Sequence, residues 1–147
     1  MAFLTFRGGI HPYDGKDLSK NCPVEKYLPK GDLIYPLRQH IGGTAVPVVA
    51  VGDRVLEGQL LAKASGDISA PVHASVSGTV KAIEPRKTVS GKEILSVVVE
   101  NDGLYEKMPV SEIKPWQELE VGERLRRIQE AGVVGMGGAG FPTHIKL

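Results

Sequence analysis

The stretch Val51-Gly52-Asp53-Arg54-Val55-Leu56-Glu57-Gly58-Gln59-Leu60-Leu61-Ala62-Lys63-Ala64-Ser65-Gly66-Asp67-Ile68-Ser69-Ala70-Pro71-Val72-His73-Ala74-Ser75-Val76-Ser77-Gly78-Thr79-Val80 decides the fold. Its apolar runs are short, and turn pairs divide them: Gly52-Asp53, Glu57-Gly58 and Gly66-Asp67. Upstream, residues 45–51 are rich in β-branched side chains; downstream, residues 76–83 and 94–99 read as two further strands around a loop with Pro85 and Gly91. Turn signals about every eight to twelve residues between short strands indicate a small barrel or sandwich over residues 44–101. A faint duplication supports this, since Val51-x-x-x-Val55 and Val76-x-x-x-Val80 each carry an internal glycine.

The rest of the chain has a different texture. Residues 1–43 read as an irregular arm, with Pro12, Pro23, Pro29 and Pro36 too frequent for helices. Residues 102–119 read as a linker. Beyond it, Val121, Leu125 and Ile128 fall at i, i+4 and i+7, one apolar stripe of a helix. Glu123 stands near its start and Arg124, Arg126 and Arg127 further along, as the helix dipole prefers, and Gly132 suits the left-handed residue that ends it. A glycine-rich loop follows and completes the last segment, 120–147.

Composition narrows the function classes. The chain has 147 residues with 18 glycines and 10 prolines, well above the usual combined share of roughly 12%. Aromatic residues are only 5%, so the core is expected from Val, Ile, Leu and Ala. The net charge of +1 offers no broad basic surface for nucleic acid. The apolar run at 45–51 is far below the ~20 residues of a membrane span, and the first seven residues lack the basic start of a secretory signal. A soluble, cytoplasmic chain without a direct membrane span is expected.

No isolated side chain announces catalysis. His11, His40, His73 and His144 have no close ligand spacing, so no metal is expected on them. Ser69, Ser75 and Ser77 lack a nucleophile elbow. Cys22, the single cysteine, is expected to be a packing or surface thiol.

The quoted stretch resembles a biotinyl/lipoyl domain. That family has Val-Gly-Asp-x-Val-x-x-Gly-x-x-Leu before its carrier hairpin and Val-Ser-Gly-x-Val after it, here residues 51–61 and 76–80. The resemblance implies a barrel-sandwich hybrid, and its ungapped alignment puts the family's modified lysine at Asp67, with Gly66-Asp67-Ile68 for its Met-Lys-Met tip. Biotin and lipoate are joined through an amide to a lysine amine, which aspartate does not offer. Lys63 lies four residues before the tip, in the expected strand. The fold is therefore expected without the swinging arm.

The ending, Gly135-Met136-Gly137-Gly138-Ala139-Gly140-Phe141-Pro142-Thr143-His144-Ile145-Lys146-Leu147, resembles the flavin loop of the NADH-oxidising subunit of respiratory complex I. The resemblance implies that Gly135, Gly137, Gly138 and Gly140 let the backbone approach FMN and that Lys146 steadies its negative charge. Met136 stands where that pattern has arginine. Gly8-Gly9-Ile10-His11-Pro12, the carrier-like domain and this loop together resemble the C subunit of the Rnf electron-transport complex. That family implies an ion-translocating oxidoreductase at the membrane, exchanging electrons between ferredoxin and NAD. The C subunit is its peripheral cytoplasmic part, with FMN and two 4Fe–4S clusters, beside other Rnf subunits. The rest of its flavin domain and its cysteine-rich cluster motifs are expected beyond Leu147, so the chain reads as an N-terminal piece. Two roles stay open for it: part of an electron-passing subunit, or a non-catalytic structural and docking module.

Overall fold

The computed structural model describes residues 13–109 and 114–147, so the Gly8–Pro12 motif with His11 lies outside the described residues. Among these residues seven strands form: β1 (Asp32–Pro36), β2 (Val46–Pro47), β3 (Arg54–Val55), β4 (Leu60–Lys63), β5 (Val72–His73), β6 (Gly78–Lys87) and β7 (Glu93–Asn101). The single α-helix among the described residues, α1, is Val121–Glu130. One sheet has the order β1-β7-β6-β3 and the other β2-β4-β5, with every pairing antiparallel. This mainly β architecture is the barrel-sandwich hybrid that the carrier-domain resemblance implies.

Alternation builds the core. Along β6, Gly78 and Val80 are buried while Thr79 and Lys81 face solvent. Leu37, Val55, Leu61, Val76, Val80, Val97 and Val99 from both sheets meet in one cluster. Burying each such aliphatic side chain stabilises the fold by about 1.5–3 kcal/mol. Tyr35 joins the cluster; its hydroxyl accepts the Ser75 N–H at 3.0 Å and lies 2.9 Å from the Ser75 Oγ.

The structure differs from the sequence expectations in three places. Residues 13–31 are irregular apart from a short 3₁₀ turn at Lys16–Leu18, but Asp32–Pro36 forms a strand paired to β7. Pro36 is tolerated because β1 is an edge strand and Pro36 is its last residue. Of residues 45–51 only Val46–Pro47 is a strand paired to β4, and just beyond it the Val48 N–H donates to the Leu61 carbonyl at 2.9 Å. Pro85, expected in a loop, lies within β6 opposite Leu95. β3 covers β6 only at Gly78 and Thr79, so no ladder partner is lost on the outer edge at Pro85.

The chain after β7 returns to the barrel. The Glu57 N–H donates to the Glu106 carbonyl at 2.8 Å, and the Met108 N–H to the Glu57 carbonyl at 2.9 Å. The Ser77 Oγ donates to Asp102 at 2.7 Å and accepts the Glu106 N–H at 2.9 Å. Further on, α1 carries Glu123 between Arg126 and Arg127 on its solvent side, and Gly132 ends it at φ 69.

Candidate functional site

The carrier-like tip is the bend at residues 66–68 between β4 and β5, with Asp67 exposed. It does not project freely. The Gly43 N–H donates to the Ile68 carbonyl at 2.9 Å, and the Ser69 Oγ to the Gly43 carbonyl at 2.9 Å. The Ser65 Oγ donates to the Thr44 carbonyl at 2.6 Å. A Cβ on Gly42 would stand 2.0 Å from the Ile68 carbonyl oxygen, so only glycine permits this approach. Lys63 is exposed as the last residue of β4.

The described histidines lie in three different surroundings. His40 is buried; its Nδ1 stands 2.9 Å from the Ile41 carbonyl oxygen, and its Nε2 stands 3.1 Å from the Ala70 N and 3.0 Å from the Ala70 carbonyl oxygen. His73 is half-buried on β5, and burial pushes its imidazole below the ordinary histidine range. His144 lies in the 3₁₀ turn at Thr143–Ile145. Among the described residues no group of three His, Cys, Asp or Glu side chains is placed to hold a metal. Cys22 is an exposed free thiol.

The glycine-rich segment is a closed loop. Val134 and Pro142 form an antiparallel bridge, the Gly135 N–H donates to the Phe141 carbonyl at 2.9 Å, and the Thr143 N–H to the Val133 carbonyl at 3.0 Å. Two glycines seat this segment on the barrel. A Cβ on Gly132 would lie 2.8 Å from the Pro71 carbonyl oxygen and 3.5 Å from His73 Nδ1. One on Gly140, buried at φ 67, would lie 2.7 Å from the Gln39 carbonyl oxygen.

The five residues expected at a cofactor therefore occupy different surroundings. Gly137 and Gly138 are exposed, with nothing within 4 Å of a built Cβ. Gly135 backs onto Phe141 and Gly140 faces the barrel. The Lys146 Nζ stands 5.2 Å from the centre of the Phe141 ring. The seats at Gln39–His40 and Pro71–His73 escape sequence reasoning, because residues far apart in the chain create them and no local pattern marks them.

A family model described as the RnfC barrel sandwich hybrid domain matches residues 4–104. The chain is 45% identical over 147 residues to the C subunit of the proton-translocating ferredoxin:NAD(+) oxidoreductase complex of Clostridium ljungdahlii, covering 97% of this chain and 32% of that protein. It is 42% identical over 146 residues to the Na(+)-translocating counterpart of Acetobacterium woodii, covering 97% and 32%. With the C subunit of the ion-translocating oxidoreductase complex of Vibrio cholerae it shares 41% identity over 144 residues, covering 97% and 19%. The chain thus spans about a third of the length of the first two relatives and about a fifth of the third.

Proposed function

The chain belongs to the RnfC barrel sandwich hybrid domain family, and we propose that it forms the N-terminal part of a subunit passing electrons between NAD(H), FMN and iron–sulfur clusters. The complex would be a membrane-associated, ion-translocating ferredoxin:NAD oxidoreductase, with this part peripheral on its cytoplasmic face. Among the described residues no helix is long and apolar enough to cross a membrane, which suits a peripheral part. The barrel itself catalyses nothing in this reading; it is the scaffold that fixes the glycine loop.

The observation that carries the reading is the double seating of that loop, at Gly132 on Pro71–His73 and at Gly140 on Gln39–His40. FMN supplies the redox chemistry when bound, and the protein binds and orients it. The residues present fit one side of such a ligand. Gly137 and Gly138 leave their backbone open to an anion, Gly135 and Gly140 hold the loop's shape, and Lys146 adds positive charge beside Phe141. The iron–sulfur clusters do not fit this chain, whose only thiol is Cys22.

The docking role is favoured by the tip, which exposes Asp67 instead of an amine and is bound to residues 42–44. Such a tip suits contact with a neighbouring subunit better than transport of a prosthetic group.

FMN titration with fluorescence quenching tests the division of labour. The 147-residue chain should bind FMN more weakly than micromolar, because one loop offers no surface on which the flavin ring can stack. Each N–H donor contributes only ~0.5–1.5 kcal/mol net. A chain of the relatives' full length should bind it tightly. Micromolar or tighter binding by the 147 residues would overturn the scaffold reading, and no binding by the full-length chain would overturn the flavin reading.

A further inference from the structure

Between β1 and β2 the chain makes a closed loop over residues 38–44. Across its base the Ala45 N–H donates to the Leu37 carbonyl at 2.9 Å, and the Leu37 N–H donates to the Leu95 carbonyl at 2.9 Å. Leu37 and Ala45 are both buried in the core, so the loop is anchored at each end. Its second half grips the carrier-like tip. The Gly43 N–H donates to the Ile68 carbonyl, and the hydroxyls of Ser69 and Ser65 donate to the carbonyls of Gly43 and Thr44. Its first half carries the glycine loop, since a Cβ on Gly140 would stand 2.7 Å from the Gln39 carbonyl oxygen and 2.9 Å from the His40 Cα. The buried His40 ring connects the halves. Its Nδ1 faces the Ile41 carbonyl oxygen, and its Nε2 lies 3.1 Å from the N and 3.0 Å from the carbonyl oxygen of Ala70, where the chain leaves the tip.

We propose that loop 38–44 is a relay between the tip and the glycine loop, with His40 as its positioning residue. Backbone contacts this close leave no slack, so the packed surfaces are either seated or unseated and do not slide continuously. Opening of the tip withdraws Ala70 from the imidazole. A buried polar group left unpaired costs more than its hydrogen bond contributes net, so the ring follows the tip. The Gln39 carbonyl and the His40 Cα move with the ring, and these are the atoms on which Gly140 rests. The coupling acts in both directions, because a free energy that links two sites belongs to both. The inference deepens the scaffold and docking reading and rests on it: a neighbouring subunit that holds the tip closed also holds the glycine loop in its seated shape.

Amide hydrogen exchange of the chain, read at residues 65–70 and 135–141 with β6 and β7 as the reference for intact folding, is the test. Ser69→Ala and the milder Ser65→Ala each remove a hydroxyl that bonds loop 38–44 and not the glycine loop. Each should speed exchange at the tip about fivefold, as expected for the loss of one hydrogen bond, and at residues 135–141 about threefold. Gly140→Ala, made on the other side, should speed exchange at residues 65–70 by a similar factor. His40→Leu fills the ring's space without bonding Ala70. In that background both segments should exchange faster from the outset, and Ser65→Ala should then act on the tip alone. His40→Ala replaces it should the leucine variant not fold. Effects confined to the mutated side would overturn the proposal, as would cross-effects that persist undiminished without the imidazole. Equal acceleration in β6 and β7 would mean global destabilisation and would overturn it too. None of these readouts involves a flavin, so their failure leaves the FMN titration standing, and a failed titration leaves the relay standing.

Discussion

Gly140 and His40 pack backbone to backbone: a Cβ built on Gly140 would stand 2.9 Å from the His40 Cα. The contact joins the glycine loop to a histidine whose ring is held by the Ile41 carbonyl and the Ala70 N–H, just after the carrier-like tip. Tip, arm and glycine loop are thus linked through one buried side chain.

Gly140→Ala should release the loop. Alanine would meet the clash and also hold a left-handed backbone at φ 67, which alone costs about 1–2 kcal/mol. Amide exchange at residues 135–141 should rise sharply, while exchange in β6 and β7 stays slow. Gly137→Ala, with open space around it, should remain within about 0.5 kcal/mol of wild type in thermal unfolding. Equal effects of the two substitutions would show that the loop is not seated on the barrel.

No lysine of this chain should acquire biotin or lipoate on co-expression with an active ligase, and intact mass is the readout. Asp67→Lys supplies an amine but leaves the tip tied to residues 42–44 and without the family's methionines, so only a trace of adduct is expected. Stoichiometric modification of Asp67→Lys would show that the tip detaches readily.

What the sequence made legible was local and periodic. The β6–β7 hairpin, the helix α1, its glycine stop and the exposed tip each follow from spacing within a dozen or so residues, although Val121 of the expected apolar stripe is exposed. Strand β1 stayed hidden because Pro29 and Pro36 bracket it, although Leu33, Tyr35 and Leu37 alternate towards the core. The loop's seats depend on contacts between residues 39–40 and 140 and between residues 71–73 and 132. Each is a backbone fit without a side-chain signature.

Acid should loosen the helix from the barrel. His73 lies beneath Gly132, and burial holds its folded-state pKa below the ordinary 6.5. A depressed pKa means that the unfolded chain binds the proton more readily, so stability is complete above about 6.5 and declines as pH falls from there through the folded value. Lys63 and Glu130 line the same recess and set its local charge. Unfolding midpoints measured between about pH 8 and 5 should fall with acidity, and His73→Gln should flatten that slope. An unchanged slope in the variant would place the sensitivity elsewhere.

A second acid step should release residues 102–108 at lower pH. The Asp102 carboxylate accepts from the Ser77 Oγ at 2.7 Å and from the Leu104 N–H at 2.9 Å, and Arg54 stands 3.4 Å away. The Ser77 hydrogen bond is the largest cause holding its pKa below the ordinary 3.8, with the Leu104 N–H next. The contribution is therefore present above 3.8 and is lost as pH falls through the lower folded value, whereas the loss at His73 begins near 6.5. Asp102→Asn keeps an acceptor for Ser77 but cannot titrate. In that variant the amide exchange of Leu104, Glu106 and Met108 should no longer accelerate at the acid end, while the His73 slope persists. If Asp102→Asn instead abolishes both slopes, the two sites are coupled through the barrel and do not act separately.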